Sequence, residues 1–246
     1  MTAHARFLPA APRRAATPAP ARARQAVSAP AGAPLPAPAR ARPSGGLYRR
    51  GIKRALDVAF VLATLPVTLP VTLLMAFLVA LDGASPFYSQ ARIGRGGRLF
   101  RLWKIRTMVP DADAALAACL ASDPARRTEW QRDQKIKDDP RITRIGRLLR
   151  KSSLDELPQL WNVLIGEMSV IGPRPMMVSQ APLYPGRAYY ALRPGMTGLW
   201  QVSDRNRSSF ADRAGFDDAY DAGLSLGGDL MLIARTIAVV LRGTGC

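Results

Sequence analysis

The sequence predicts a mostly α-helical protein with one small β-hairpin, seated on a membrane by a kinked N-terminal helix that enters and returns on one side. Three observations carry this. Residues 58–81, VAFVLATLPVTLPVTLLMAFLVAL, form an uncharged run of 24. Basic residues flank it at both ends, and just beyond it apolar and polar residues alternate around a glycine-rich turn.

The chain divides by composition into residues 1–46, 47–84 and 85–246. The first part, rich in Ala, Pro and Arg and without an acidic residue, buries too little apolar area to offset its ordering entropy. It reads as a disordered basic tail, with a transit peptide as the competing reading. The uncharged run would reach about 36 Å as a helix, against about 30 Å of hydrocarbon. Pro66 and Pro70 each remove an amide donor and predict a break or kink. Arg49, Arg50, Lys53 and Arg54 precede the run and Arg92, Arg95, Arg98 and Arg101 follow it, which favours both ends on the cytoplasmic side. A kinked single-pass anchor is the alternative. Asp57 belongs at the interface, paired with Arg54 or another base, because a charge at the bilayer centre costs about 2.5 to 3.5 kcal/mol.

PFYSQARIGRGGRLFRLWKIRTM then predicts a hairpin turning at residues 94–97. Helical patterning follows in DADAALAACLA and in RITRIGRLLRKSSLDELPQLWNVLIGEM. There Leu154, Leu157, Leu160, Trp161 and Leu164 share an apolar face, with Trp161 in the core, while Asp155, Gln159 and Asn162 share another.

With 35 basic and 18 acidic residues the net charge is +17, which calls for a polyanionic partner: substrate phosphates, a membrane surface or nucleic acid. The single histidine, His4, lies in the tail, so histidine-dependent nucleophile systems and histidine-ligated zinc are excluded from the folded part. Cys119 and Cys246 make no CxxC pair, consistent with a reducing cytoplasm. No phosphate-loop or dinucleotide-binding glycine motif follows a strand.

In SSLDE, Ser153 followed by Glu156 reads as a capping box worth roughly 1 kcal/mol. The surroundings ask for more than a cap. Lys135, Lys137, Arg141, Arg144, Arg147, Arg150 and Lys151 precede the acidic pair and GPRP follows it. Such guanidiniums hold a carboxylate ionised and can grip a diphosphate.

KRALD, FRLWKIRTM, DDPRITRIGRLLR, KSSLDELPQLWNVLIGEMSVIGPRP and RPGMTGLWQVSDRN stand in order across nearly all of residues 47–246. Together they resemble the bacterial sugar transferases that load the first sugar phosphate onto polyprenyl phosphate, the monotopic phosphoglycosyl transferases. The resemblance implies transfer of hexose 1-phosphate, galactose or glucose, from a UDP-hexose to undecaprenyl phosphate with release of UMP. That is a first membrane step of exopolysaccharide synthesis, on the cytoplasmic side of a bacterial inner membrane. It further implies Asp155 as nucleophile, Glu156 as acid-base partner and Mg²⁺ near Asp155. Arg150, Arg174 and Arg205 fall where phosphates or nucleotide are contacted, and Lys104 and Arg106 fall in a basic substrate-binding stretch. The implied fold has a re-entrant helix, interfacial amphipathic helices and a compact cytoplasmic α/β part. The break in that family is often Ser-Pro; here Pro70 follows Leu69, leaving Thr68 or Thr72 to satisfy freed carbonyls. Membrane lipids are implied as partners and nucleic acid is not, while self-association stays open. Asp217, Tyr220, Ser225 and Asp229 match a family stretch, and on physical grounds read equally as caps and helix pairs. The rival reading is a basic membrane-tethered scaffold or nucleic-acid-binding protein, which would need no Mg²⁺ and show a steep salt dependence.

Overall fold

The computed structural model describes residues 46–133, 136, 138–203 and 210–241. The tail reading lies, but for Gly46, outside the described residues. After one π-helical turn at Tyr48–Ile52, helix α1 spans Lys53–Ala80. Among the described residues it is the one helix long and apolar enough to cross a membrane. Pro66 and Pro70 lie inside it, yet the helix is continuous and the expected break does not form. Each proline deletes one amide donor, and the neighbouring turns keep theirs. The hydroxyls of Thr68 and Thr72 donate to the carbonyls of Thr64 and Thr68 at 3.1 and 2.7 Å. They do not serve Leu62 and Pro66, whose carbonyls the prolines leave unbonded.

Both ends of α1 dock on the body that follows. Near its start Val61 packs with Phe100, Leu102, Leu160, Val163 and Met168. Near its end Val79 packs with Ile105 and Leu149. Between these contacts Leu62, Leu65, Val67, Leu69, Leu73 and Leu74 are exposed. Asp57 is buried, and its partners differ from the expected one: it accepts from Ser169 Oγ at 3.0 Å and the Val170 amide at 2.9 Å. Arg54 instead donates to the carbonyls of Val163 and Leu164 in the last turn of a helix, where carbonyls lack intrahelical partners or share the capping amide.

The hairpin forms where alternation places it. Strands β1 (Phe87–Ile93) and β2 (Leu99–Ile105) pair antiparallel from Phe87↔Ile105 to Ile93↔Leu99, joined by a turn at Arg95–Gly97. Helices α2 (Ala112–Ser122) and α3 (Pro124–Asp133) follow. Helix α4 (Arg144–Ser152) starts at Thr143, whose hydroxyl accepts the Gly146 amide at 2.9 Å.

The capping box does not form. Ser153 has φ 57°, closes α4 through its own amide and makes no side-chain cap, so it ends one helix instead of starting another. An N-cap needs extended backbone, whereas a left-handed residue suits a C-cap. A 3₁₀ turn at Leu154–Glu156 leads to α5 (Gln159–Ile165). Trp161 is 57% exposed, contrary to its expected place in the core. Asn162 explains this. Its Oδ1 accepts the Trp103 amide at 3.2 Å and its Nδ2 donates to the Arg101 carbonyl at 2.8 Å, so the polar face of α5 turns inward to satisfy the edge of β2. Trp161 and Ile165, four apart, then face out.

Strands β3 (Ser169–Ile171) and β5 (Gly195–Thr197) pair in parallel, and β4 (Met176–Met177) adds to β1, giving the order β2-β1-β4. Helices α6 (Ala188–Ala191), α7 (Leu199–Val202), α8 (Arg213–Ala222) and α9 (Leu226–Leu241) complete the description. Asp229 ties α9 to α8 and to the start of α1, taking bonds from Tyr48 (2.6 Å), Lys53 (2.7 Å) and Tyr220 (2.8 Å). Ser225 Oγ caps the Gly228 amide at 3.2 Å. The GPRP turn lies backbone to backbone on the β5 segment. A Cβ on Gly172 would stand 2.3 Å from the Arg193 carbonyl oxygen, and one on Gly198 would stand 2.0 Å from that of Gly172.

Candidate active site

The acidic pair sits where α4, the 3₁₀ turn and β2 converge. Left-handed Ser153 closes α4, and in the 3₁₀ turn that follows Asp155 is buried, only 6% exposed. Lys104, on β2, reaches both carboxylates: its Nζ lies 2.7 Å from Glu156 Oε1 and 3.4 Å from Asp155 Oδ2. Burial pushes the Asp155 carboxyl above its ordinary value; Lys104 and Arg150 pull against this, and Glu156 adds to it. A desolvated carboxylate beside a cation has the chemistry of a nucleophile or of a metal ligand.

Arg150 Nε donates to Thr107 Oγ1 at 2.9 Å and stays close enough to act on Asp155. The other bases before the pair are spread out. Arg141 is clasped by Asp139 at 2.6 Å, and Arg144 and Arg147 are exposed. Lys135 and Lys137 lie outside the described residues. Arg106 is placed at the far side, its guanidinium bonded to Asp82 at 2.6 Å and to the carbonyls of Ser85, Met108 and Val79. It ties the exit of α1 to the exit of β2. Arg205 lies outside the described residues.

Arg174 stands in a second cluster that sequence reasoning missed in part. Its guanidinium lies 5.8 Å from the Trp200 ring centre, and Arg213 lies 5.1 Å from the same ring and 4.8 Å from that of Phe210. Arg213 Nη2 donates to the Arg174 carbonyl at 2.6 Å. Arg92 joins them from β1, with its Nη2 on Gln90 Oε1 at 2.7 Å and its Nε buried without a partner. Burial first, then the neighbouring Arg174, lowers the pKa of Arg92; burial lowers that of Arg213, with Arg174 adding to the effect and Asp217 opposing it. Three guanidiniums that repel one another in a part-buried place form a ready anion site. Arg92 was hidden in the alternation of a strand, and Arg213 among the acidic residues of α8. By register Arg92 pairs with Phe100, four residues from Lys104, so the cluster and the acidic pair are about 13 Å apart along one face of the hairpin.

Among the described residues no group of three or more acidic, Cys or His side chains is arranged to hold a metal. The two carboxylates of Asp155 and Glu156 suit Mg²⁺, which commonly takes one or two protein carboxylates and completes its shell with phosphate oxygens and water.

Residues 48–243 match the family described as bacterial sugar transferase, and the chain belongs to it. It is 46% identical over 198 residues to a UDP-galactose-lipid carrier transferase of Erwinia amylovora, covering 80% of this chain and 42% of that protein. It is 43% identical to an undecaprenyl-phosphate galactose phosphotransferase of Salmonella typhimurium, with 80% and 42% covered. To the exopolysaccharide production protein ExoY of Sinorhizobium fredii it is 44% identical over 205 residues, covering 82% of this chain and 89% of that protein. The chain thus spans less than half the length of the first two relatives and most of the length of the third.

Proposed function

We propose that this chain transfers hexose 1-phosphate, galactose or glucose, from a UDP-hexose to undecaprenyl phosphate, as the first membrane step of exopolysaccharide synthesis. The observation that carries the proposal is Asp155, buried beside Glu156 with Lys104 bridging the two. The relatives' names supply donor, acceptor and pathway class: a UDP-galactose carrier transferase, an undecaprenyl-phosphate galactose phosphotransferase and an exopolysaccharide production protein.

In this reading an Asp155 carboxylate oxygen attacks the β-phosphorus of the donor. The bond from that phosphorus to the bridging oxygen breaks, and UMP leaves with the electron pair. An oxygen of the lipid phosphate then attacks the same phosphorus and Asp155 departs as a carboxylate. Splitting the transfer avoids bringing the lipid phosphate directly against an intact diphosphate. Mg²⁺, when bound, would offset charge on the phosphate oxygens. Lys104 keeps Asp155 ionised, Glu156 manages protons beside it, and Arg150 adds positive charge at the same place. Arg92, Arg174 and Arg213 hold the nucleotide end, since the span to Lys104 is comparable to a nucleoside diphosphate.

The membrane part of the reading is re-entrant and keeps the site cytoplasmic. What supports it is the docking of Val61 and Val79 on one body, together with basic flanks at both ends. A helix crossing fully would have to carry part of that body through the bilayer. Exposed Leu148 on α4, Trp161 and Ile165 on α5, and Leu230 and Ile237 on α9 fit helices resting in the interface.

The deciding experiment is exchange of labelled UMP into UDP-hexose with no lipid acceptor present. Exchange is expected in the wild type and lost in Asp155→Asn. Robust turnover by a folded Asp155→Asn protein, or exchange that strictly requires the lipid, would sink the covalent route.

A further inference from the structure

Beside the first half of α1 lies an open cavity of about 610 Å³. It is lined by Arg50, Arg54, Arg95 and Arg193, and by apolar Val58, Ala59 and Leu62 of α1. No acidic side chain lines it. Arg54 is engaged with the end of α5 and Arg193 Nε with the Gly166 carbonyl at 2.9 Å, while among the described residues the side chains of Arg50 and Arg95 have no hydrogen bond or ion pair. The like charges are felt across the cavity: burial, then Arg95 and Arg54, depresses the Arg193 guanidinium, with Asp57 opposing.

We infer that this cavity binds the headgroup of one anionic phospholipid, with its acyl chains running along Val58, Ala59 and Leu62 into the bilayer. Four guanidiniums outnumber the one carboxylate that acts among them, Asp57 on Arg193, and call for a phosphate, and a wall continuous with the exposed apolar stretch of α1 calls for a hydrocarbon tail attached to it. Basic pockets beside membrane helices on the cytoplasmic side recognise anionic lipid headgroups for these two reasons together. The occupant is a resident lipid and not the reacting acceptor. Arg95 sits in the hairpin turn, beyond Leu99, and Leu99 is about 16 Å along β2 from Lys104, so a phosphate held here stands away from Asp155. The inference rests on the membrane seating of α1 and not on the transfer chemistry, so UMP exchange is scored as a separate readout.

The test uses the full chain, delipidated in detergent, and native mass spectrometry with phosphatidylglycerol, phosphatidylcholine, undecaprenyl phosphate or inorganic phosphate added. One phosphatidylglycerol per chain should be retained in preference to phosphatidylcholine. Arg50→Gln/Arg95→Gln should weaken that retention about tenfold or more. The control Arg101→Gln/Arg187→Gln removes the same charge from exposed positions off the cavity and should retain the lipid. Unchanged UMP exchange in both double variants would show that the fold is intact. Equal loss in both would mean diffuse surface charge. Preference for undecaprenyl phosphate would make the cavity an acceptor site, and displacement by inorganic phosphate alone would make it a plain anion site. Each of these three outcomes overturns the inference.

Discussion

Lys104 touches both members of the acid pair, which makes it the residue whose removal separates charge from position. Burial already raises the Asp155 pKa and Lys104 opposes the rise, so Lys104→Met should raise it further. The reactive form is the carboxylate, so the rate falls as pH drops through that pKa. The acid limb of the UMP-exchange profile should therefore move to higher pH, and exchange on that limb should fall by about tenfold for each unit it moves. An unshifted limb in a folded variant would remove Lys104 from the role given it here. Asp217 makes a second prediction through the same physics. It is buried, accepts from Tyr184 at 2.8 Å, and is pushed up to about 6, chiefly by burial. A raised carboxyl pKa contributes stability that is present below the unfolded value near 4 and lost as pH rises through about 6. Asp217→Asn should flatten the fall in thermal midpoint between about pH 4 and pH 6, recovering at most about 2 to 3 kcal/mol at neutral pH. A parallel pH dependence in the variant over that window would assign the fall to other groups. Nothing in the local sequence separates Asp217 from its exposed neighbour Asp218; burial does.

At the scale of elements the hairpin and most helices were legible, because alternation around the Gly94–Gly97 turn and helical apolar spacing are local signals. The acid pair itself was legible by resemblance and by the basic residues that precede it. Its local conformation was not, since SSLDE satisfies a capping pattern while long-range contacts set Ser153 left-handed. Trp161 was misplaced for a related reason: the inward turn of α5 is fixed by Asn162 meeting the edge of β2, a partner 59 residues away. The seat of α4 depends on one close approach of this kind. A Cβ on Gly146 would stand 2.0 Å from the Thr107 carbonyl oxygen. Gly146→Ala should push α4 off the end of β2, lowering stability by about 2 to 4 kcal/mol and disturbing the Arg150 to Thr107 bond. A thermal midpoint within a degree or two of wild type would show that α4 can shift freely.

For the whole molecule, docking of α1 at both ends predicts one-sided topology. Single cysteines at Leu47 and Ser85, in a chain with Cys119 and Cys246 replaced by Ser, should both resist an impermeant thiol reagent applied from the periplasm and react once the membrane is opened. Periplasmic labelling of one site alone would establish a crossing helix. The stacked main chain at Gly172 and Gly198 bears on a different matter, the paths open to this protein as its lineage diverges. Where side chain meets side chain, a loss on one partner can be repaired by a change in the other. At this turn the neighbours are the carbonyl oxygens of Arg193 and Gly172, which every amino acid carries, so no second substitution restores the space. The bearing of Arg174 toward Trp200 is thereby inherited as a fixed dimension, and a shift to a different sugar donor would have to be written into the rim around it.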